Sequence, residues 1–236
     1  MLLDLSESLA CPRCGPPRGL VVLVDRMEGR RVRDGRLDCP HCEARFPLRD
    51  GGIDVSAAGV PPGVPPVAPP DTSSDTPGRE SEAPSGAAPA PGGTEDALAA
   101  AALLGIRSGR GLVVCGPGVA APGEVSRLTG GCEVLALDPD RSATGGEAAG
   151  PAEDGAAGVT PVRGATAGRL PVLDGRALGV VLAAPDLAAC REARRVLAPG
   201  GRLVVLRPAD VVAGALPGLG FELLAADPRA LVARRV

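Results

Sequence analysis

The 236-residue chain has no lysine, asparagine, glutamine, tryptophan or tyrosine, so all 25 of its basic residues are arginine. We read this bias as drift in GC-rich coding sequence. It still has physical consequences. With only two aromatics, Phe46 and Phe221, stacking of bases on aromatic platforms is excluded. The net charge of −3 argues against a strongly basic nucleic-acid binder. The one histidine, His41, rules out a histidine-based hydrolytic triad outside its own surroundings. No apolar run approaches the ~20 residues that cross a bilayer. Residues 1–10 carry Asp4 and Glu7 and lack the basic start and apolar stretch of a secretory signal. The expectation is a cytoplasmic protein with no membrane partner, in which paired cysteines mean metal or redox chemistry before disulfides.

What the chain has in quantity is glycine and proline, 34 and 26 residues, distributed unevenly. Residues 1–55 hold nine arginines against nine acidic residues and four of the seven cysteines. Residues 56–93 hold ten prolines and six glycines. Such a stretch buries too little apolar surface to offset its ordering entropy, and predicts a disordered linker. Residues 94–236 return to short apolar runs between glycines and prolines. The expected division is 1–55, 56–93 and 94–236.

In the last part, strands are predicted at 112–115, 134–137, 159–162, 180–183 and 203–206, with a closing hairpin, 221–225 and 231–233, around Asp227-Pro228. Helices fall between them. One begins at Thr94 as its cap, with Leu98, Leu103 and Leu104 on its apolar side; a second covers 124–128. A third, over 186–197, is capped by Asp186 and carries Leu187, Cys190, Ala193 and Val196 at helical spacing before Pro199-Gly200-Gly201. Strands alternating with helices predict an α/β protein with a seven-stranded, Rossmann-like sheet. Cys115, Cys132 and Cys190 fall in apolar surroundings and read as packing residues. The arginines of the third helix (Arg191, Arg194, Arg195), together with Arg234 and Arg235, read as solvent-facing. So do Arg30, Arg31, Arg33 and Arg36, interleaved with Glu28, Asp34 and Asp38.

Cys11-Pro12-Arg13-Cys14 and Cys39-Pro40-His41-Cys42 are two CxxC knuckles 24 residues apart. Two residues between cysteines let one turn present both sulfurs to one ion, and zinc favours four tetrahedral thiolates. A hairpin between the knuckles, from 20–24 through a turn at Gly29, completes a small zinc ribbon. A four-sulfur site leaves no open position, so the zinc is structural and His41 is a surplus, exposed turn residue. Leu3-Asp4-Leu5, Leu37-Asp38-Cys39-Pro40-His41-Cys42 and Phe46-Pro47-Leu48-Arg49-Asp50-Gly51 resemble the small zinc-ribbon activators of tRNA, rRNA and release-factor methyltransferases. Glu43 replaces a frequent knuckle glycine, and Gly52 is an addition. The resemblance implies a protein partner docked through the ribbon, or docking of the ribbon onto its own chain across the linker.

Gly116-Pro117-Gly118, directly after a strand, reads as a nucleotide-type turn, and Asp138 ends the next strand, where a carboxylate accepts ribose hydroxyls. This pattern alone supports either a dinucleotide or S-adenosylmethionine. Leu170-Pro171-Val172-Leu173-Asp174-Gly175, Val180-Val181-Leu182 and Val196-Leu197-Ala198-Pro199-Gly200-Gly201-Arg202-Leu203 resemble class I S-adenosylmethionine-dependent methyltransferases. The resemblance implies Gly116, Gly118 and Asp138 as cofactor-binding residues and no nucleophile, since methyl transfer from a sulfonium needs mainly positioning. It also shows departures: Val114 and Ala165 stand where the family carries acidic residues, Ala120 where it has a third glycine, and Gly179 where an aspartate often opens the fourth strand. Two expectations follow, a methyltransferase-like protein with reduced or lost activity and a non-catalytic pseudo-methyltransferase that binds or stabilises a partner.

Overall fold

The computed structural model describes residues 1–56, 93–107, 111–138, 158–165 and 168–236. The expected linker, except Ser56 and Gly93, lies outside them, as does the Gly/Ala-rich stretch after Asp138 up to residue 157.

Apolar runs between glycines become the central strands. β5 (Leu112–Cys115), β6 (Glu133–Leu137), β7 (Val159–Arg163), β8 (Ala177–Ala183) and β9 (Leu197–Leu206) are parallel in the order β7-β6-β5-β8-β9. An antiparallel hairpin, β10 (Phe221–Ala226) and β11 (Ala230–Arg235), closes the sheet, with β11 against β9. The seven-stranded Rossmann-like sheet predicted for this part is present. The direction of strand succession reverses between β5 and β8, the position where open α/β sheets bind ligands.

Period-two alternation places successive residues of these buried strands on opposite faces. Val113, Cys115, Val134, Val181 and Val204 meet helices α1 (Thr94–Leu104) and α2 (Pro122–Leu128). Leu112, Val114, Leu135, Val180, Leu182 and Val205 meet α3 (Leu187–Val196). Asp186 caps α3 as predicted, accepting from the Ala189 N–H at 2.7 Å. α1 departs from expectation. Its cap is Gly93, Thr94 makes no capping bond, and Leu98 faces solvent while Ala97, Ala100, Ala101 and Leu104 are buried. A stripe of alanines lets the helix lie close to the sheet, and Gly179 serves the same approach: a Cβ there would stand 2.5 Å from a Leu104 methyl. A short helix, α4 (Asp210–Ala215), follows β9.

The N-terminal part contains β1 (Val21–Glu28) and β2 (Arg31–Asp38), the expected hairpin, then β3 (Arg45–Arg49) and β4 (Gly52–Asp54). β4 runs parallel to β7, pairing Ile53 with Val162 and Asp54 with Arg163, so all eleven strands form one sheet. The additional Gly52 has a reason here: a Cβ would come 3.1 Å from the Pro161 ring. Phe46, Leu37, Leu48 and Ile53 join the same apolar cluster as Leu135, Val162 and Val172.

Two further contacts tie the N-terminal part down. The Ala10 N–H donates to the Pro171 carbonyl (3.1 Å) and the Leu173 N–H to that of Ser8 (2.8 Å). Arg31, expected in solvent, instead lies mostly buried against Glu133 at the start of β6, with Nη2 2.9 Å from Oε2. Glu133 also accepts from the Gly158 N–H (3.1 Å) and the Thr160 hydroxyl (2.6 Å). A buried carboxylate needs these bonds to balance its lost hydration. Beside it, burial pushes the Met1 amino group down to about 5. Arg30, Arg33 and Arg36 pair at the surface with Asp4, Glu28 and Asp38.

Candidate functional site

The four knuckle cysteines converge. Their sulfurs lie within 4.8 Å of one another, with Cys11 Sγ 3.7 Å from Cys42 Sγ and Cys14 Sγ 3.9 Å from Cys39 Sγ. A disulfide needs about 2.05 Å, and none of the seven cysteines forms one. A tetrahedron of thiolates at a Zn–S length of about 2.3 Å has sulfur–sulfur edges near 3.8 Å. The arrangement fits a tetrahedral thiophilic ion. Cys11 and Cys39 are buried, and His41, as expected, is exposed. Burial opposes ionisation of Cys11, Cys14 and Cys39. It raises Cys11 to about 11 and raises Cys14 further, whereas at Cys39 the backbone N–H groups of Cys42 and His41 and the neighbouring thiols outweigh it and leave about 7. Glu43 closes the second knuckle in the left-handed region, φ 55°, the conformation for which glycine is the usual choice.

At the other site, the carboxyl ends of the parallel strands form a rim. Gly116–Gly118 follows β5, Asp138 follows β6, and the two are brought to adjacent strand tips, since Cys115 pairs with Ala136. Left-handed backbone recurs around this rim at Gly118 (φ 74°), Asp138 (39°), Gly164 (75°), Ala184 (44°) and Arg207 (53°). Non-glycine residues hold such angles only where their surroundings over-determine them, which is common at ligand sites. Asp138 is exposed, and its Oδ1 accepts from the Gly164 N–H at 2.7 Å, leaving Oδ2 uncommitted among the described residues. Gly116 is required by packing, because a Cβ would stand 2.7 Å from a Leu182 methyl; at Gly118 the demand is the positive φ alone.

The acidic positions missing from the sequence are filled by apolar groups. Val114 is fully buried in the sheet, and Ala165 is buried after β7. Sequence reasoning also missed Arg207. It follows β9, and its Nη2 lies 3.5 Å from the Gly118 carbonyl oxygen. Because β8 lies between β5 and β9, the side chain spans the tip of β8, over Ala183 and Ala184. Its Nε is inaccessible to solvent and bonds to nothing. Among the described residues no carboxylate lies within ion-pair distance of it. Nothing in the local sequence Leu206-Arg207-Pro208 signals this; the contact joins residues 89 positions apart.

Leu170–Asp174, a methyltransferase-like segment by sequence, is held by α3. Arg195, expected to be solvent-facing, donates to the carbonyls of Leu170 (3.0 Å) and Val172 (2.8 Å) and pairs with Asp174 and Glu192. Its α3 neighbour Arg194 is half-buried, and Arg235 bonds the Leu197 carbonyl, whereas Arg191 and Arg234 are exposed as expected. Cys115, Cys132 and Cys190 are buried packing residues, as read.

No protein-family model and no curated protein matches the chain. Among solved structures it is similar to an S-adenosylmethionine dependent methyltransferase from Mesorhizobium loti, at 16% identity over 58% of this chain and 96% of that one, TM-score 0.44. It is also similar to the antibiotic-resistance methyltransferase Kmr, at 19% identity over 57% and 90%, TM-score 0.40. A third is a chain of the complex between the Haloferax volcanii Trm112 methyltransferase activator and the putative methyltransferase, at 17% over 57% and 71%, TM-score 0.43. By its own strand order the chain has an α/β fold with a mixed sheet of the Rossmann-like methyltransferase kind.

That fold implies S-adenosylmethionine, whose sulfonium and ammonium groups are both cationic. Asp138 offers an exposed carboxylate at the strand tip, an acceptor of the kind a ribose hydroxyl needs. Where the resemblance implies acidic residues stand Val114 and Ala165, both apolar and buried, and the guanidinium of Arg207 reaches the glycine turn.

Proposed function

We propose that the chain is a methyltransferase-like protein with a built-in, activator-type zinc ribbon, whose cofactor mouth has lost its cation-holding groups and whose methyl-transfer activity is reduced or lost. The observation that carries this reading is the rim itself. The glycine turn and Asp138 keep a nucleotide-type arrangement at the strand reversal, while Arg207 reaches the turn from the β9 side and, among the described residues, no acidic side chain replaces Val114 or Ala165.

The ribbon part of the reading is supported by the sulfur spacing and by the parallel pairing of β4 with β7. Zinc is structural, held by Cys11, Cys14, Cys39 and Cys42. The pairing extends the α/β sheet at its β7 edge within one chain.

Calorimetric titration with S-adenosylmethionine and its demethylated product tests the reading, beside a measurement of bound zinc. One equivalent of zinc and binding of S-adenosylmethionine weaker than millimolar are expected. Micromolar binding of S-adenosylmethionine, lost in Asp138→Ala, would show an intact cofactor site and support the enzyme. A second reading, a non-catalytic subunit that binds or stabilises a protein partner, is favoured by Arg207 in the mouth; under it, neither sulfur ligand binds and the ribbon and sheet are retained for association alone.

A further inference from the structure

The mouth disfavours one charge and is equipped for the other. Arg207 brings the one described guanidinium to the glycine turn, and its only hydrogen bond there is the 3.5 Å contact to the Gly118 carbonyl. Its Nε is shielded from water with no partner. Two other described carboxylates flank the rim, Asp186 after β8 and Asp210 at the start of α4. Asp186 spends Oδ1 on the Ala189 N–H, and neither lies within ion-pair distance of Arg207. A buried donor without a bond is under-satisfied. The Nε and Nη2 hydrogens form one edge of the guanidinium, the edge that grips phosphate or carboxylate in two parallel bonds.

Positions along the rim set the rest of the ligand. The tips of β6 and β5 are adjacent, about 4.8 Å apart in strand spacing, and Arg207 reaches back to the β5 turn. Asp138, with Oδ2 uncommitted, and the guanidinium therefore stand on opposite sides of the Gly116–Gly118 turn. A sugar bearing hydroxyls suits the first, and an anion directly attached to that sugar suits the second.

We propose that this rim takes a nucleoside phosphate, its ribose at Asp138 and its phosphate on Arg207 beside the Gly116–Gly118 turn. The assignment rests on the reading of the rim as a nucleotide-type site, and differs from it in the charge of the ligand. Placing the phosphate exchanges the long contact to Gly118 for charge-assisted bonds.

The test is calorimetry of the zinc-loaded full chain with adenosine, adenosine diphosphate, S-adenosylmethionine and S-adenosylhomocysteine. Wild type is compared with Arg207→Gln and Arg207→Glu, with thermal melts verifying that each variant folds. Adenosine diphosphate is expected to bind wild type at least about tenfold more tightly than adenosine, the scale of one charge-assisted contact. That advantage should shrink with added salt and vanish in Arg207→Gln. Arg207→Glu should invert the order, so that S-adenosylmethionine binds more tightly than adenosine diphosphate. Equal affinity for adenosine and its diphosphate, or an unchanged preference in Arg207→Gln, overturns the proposal. Binding of S-adenosylhomocysteine without the diphosphate overturns it while leaving the rim a cofactor-type site; binding of no adenosine ligand overturns both.

Discussion

The missing residue types make one titration unusually legible. Without lysine or tyrosine, nothing but cysteine ionises between about pH 9 and 12. With zinc on the four knuckle thiols, only Cys115, Cys132 and Cys190 remain. Burial raises all three, Cys115 to about 12 and Cys190 to about 11. The unfolded chain then loses these protons near pH 9 while the folded chain keeps them. Stability is full below pH 9 and is lost as pH rises toward the folded values. We expect the melting temperature to fall steeply from pH 9 to 11. Cys115→Ala should start lower at pH 7, because it leaves a cavity, and should decline less steeply. A wild-type alkaline limb matched by that of the variant would remove Cys115 as its cause. Glu43 carries a second residue-scale expectation. It holds φ 55° without evident compensation, so Glu43→Gly should raise stability by up to about 1 kcal/mol in thermal or denaturant unfolding.

At the scale of elements, the seam between β4 and β7 depends on a pair separated by 102 residues, Arg31 and Glu133. Removing one partner strands a buried charge, at a cost of about 3–5 kcal/mol. Arg31→Ala should therefore destabilise the chain by roughly that amount and expose the β7 amides to hydrogen exchange. Replacing both partners with apolar residues should recover much of the loss. An Arg31→Ala variant as stable as wild type would mean that the pair contributes nothing to the seam. The same pair shows where sequence reading stops. Strand β5 was legible because four apolar residues stand between glycines, and α3 because Asp186 precedes a helical stripe. Arg31 was not, since it is one of four interleaved arginines and its acidic partner is chosen only by the register of β4 on β7. The six-residue α4 has no cap bond and contains Gly214, so no periodicity marks it. At the rim, Gly116, Gly118 and Asp138 are neighbours because each directly follows a strand, which a sequence displays. Arg207 joins them only because two strands cross from one half of the sheet to the other.

For the molecule as a whole, the arrangement of the core decides what metal removal does. Cys11 and Cys39 belong to the same apolar cluster as Phe46, Ile53, Val162, Val172 and Leu135, so no polar layer separates the cysteine site from the α/β sheet. If the four cysteines hold zinc as proposed, the roughly fifty N-terminal residues have too little core of their own to stand without it. Stripping zinc should thus unfold β1–β4 and, through the shared core and the β4–β7 pairing, expose the edge of β7 as well. Binding of metal to the folded state alone stabilises it by mass action. Chelation should accordingly lower the melting temperature of the entire chain in one cooperative transition, with hydrogen-exchange protection lost first along β4 and β7 and retained longest in β5 and β8. Cys39→Ser should reproduce the effect without a chelator, and added zinc should restore wild type but not the variant. If the chelated protein instead melts in two steps, with β7 protected throughout the first, the ribbon is an appendage on a self-sufficient sheet, and its role in the chain has to be association with something else.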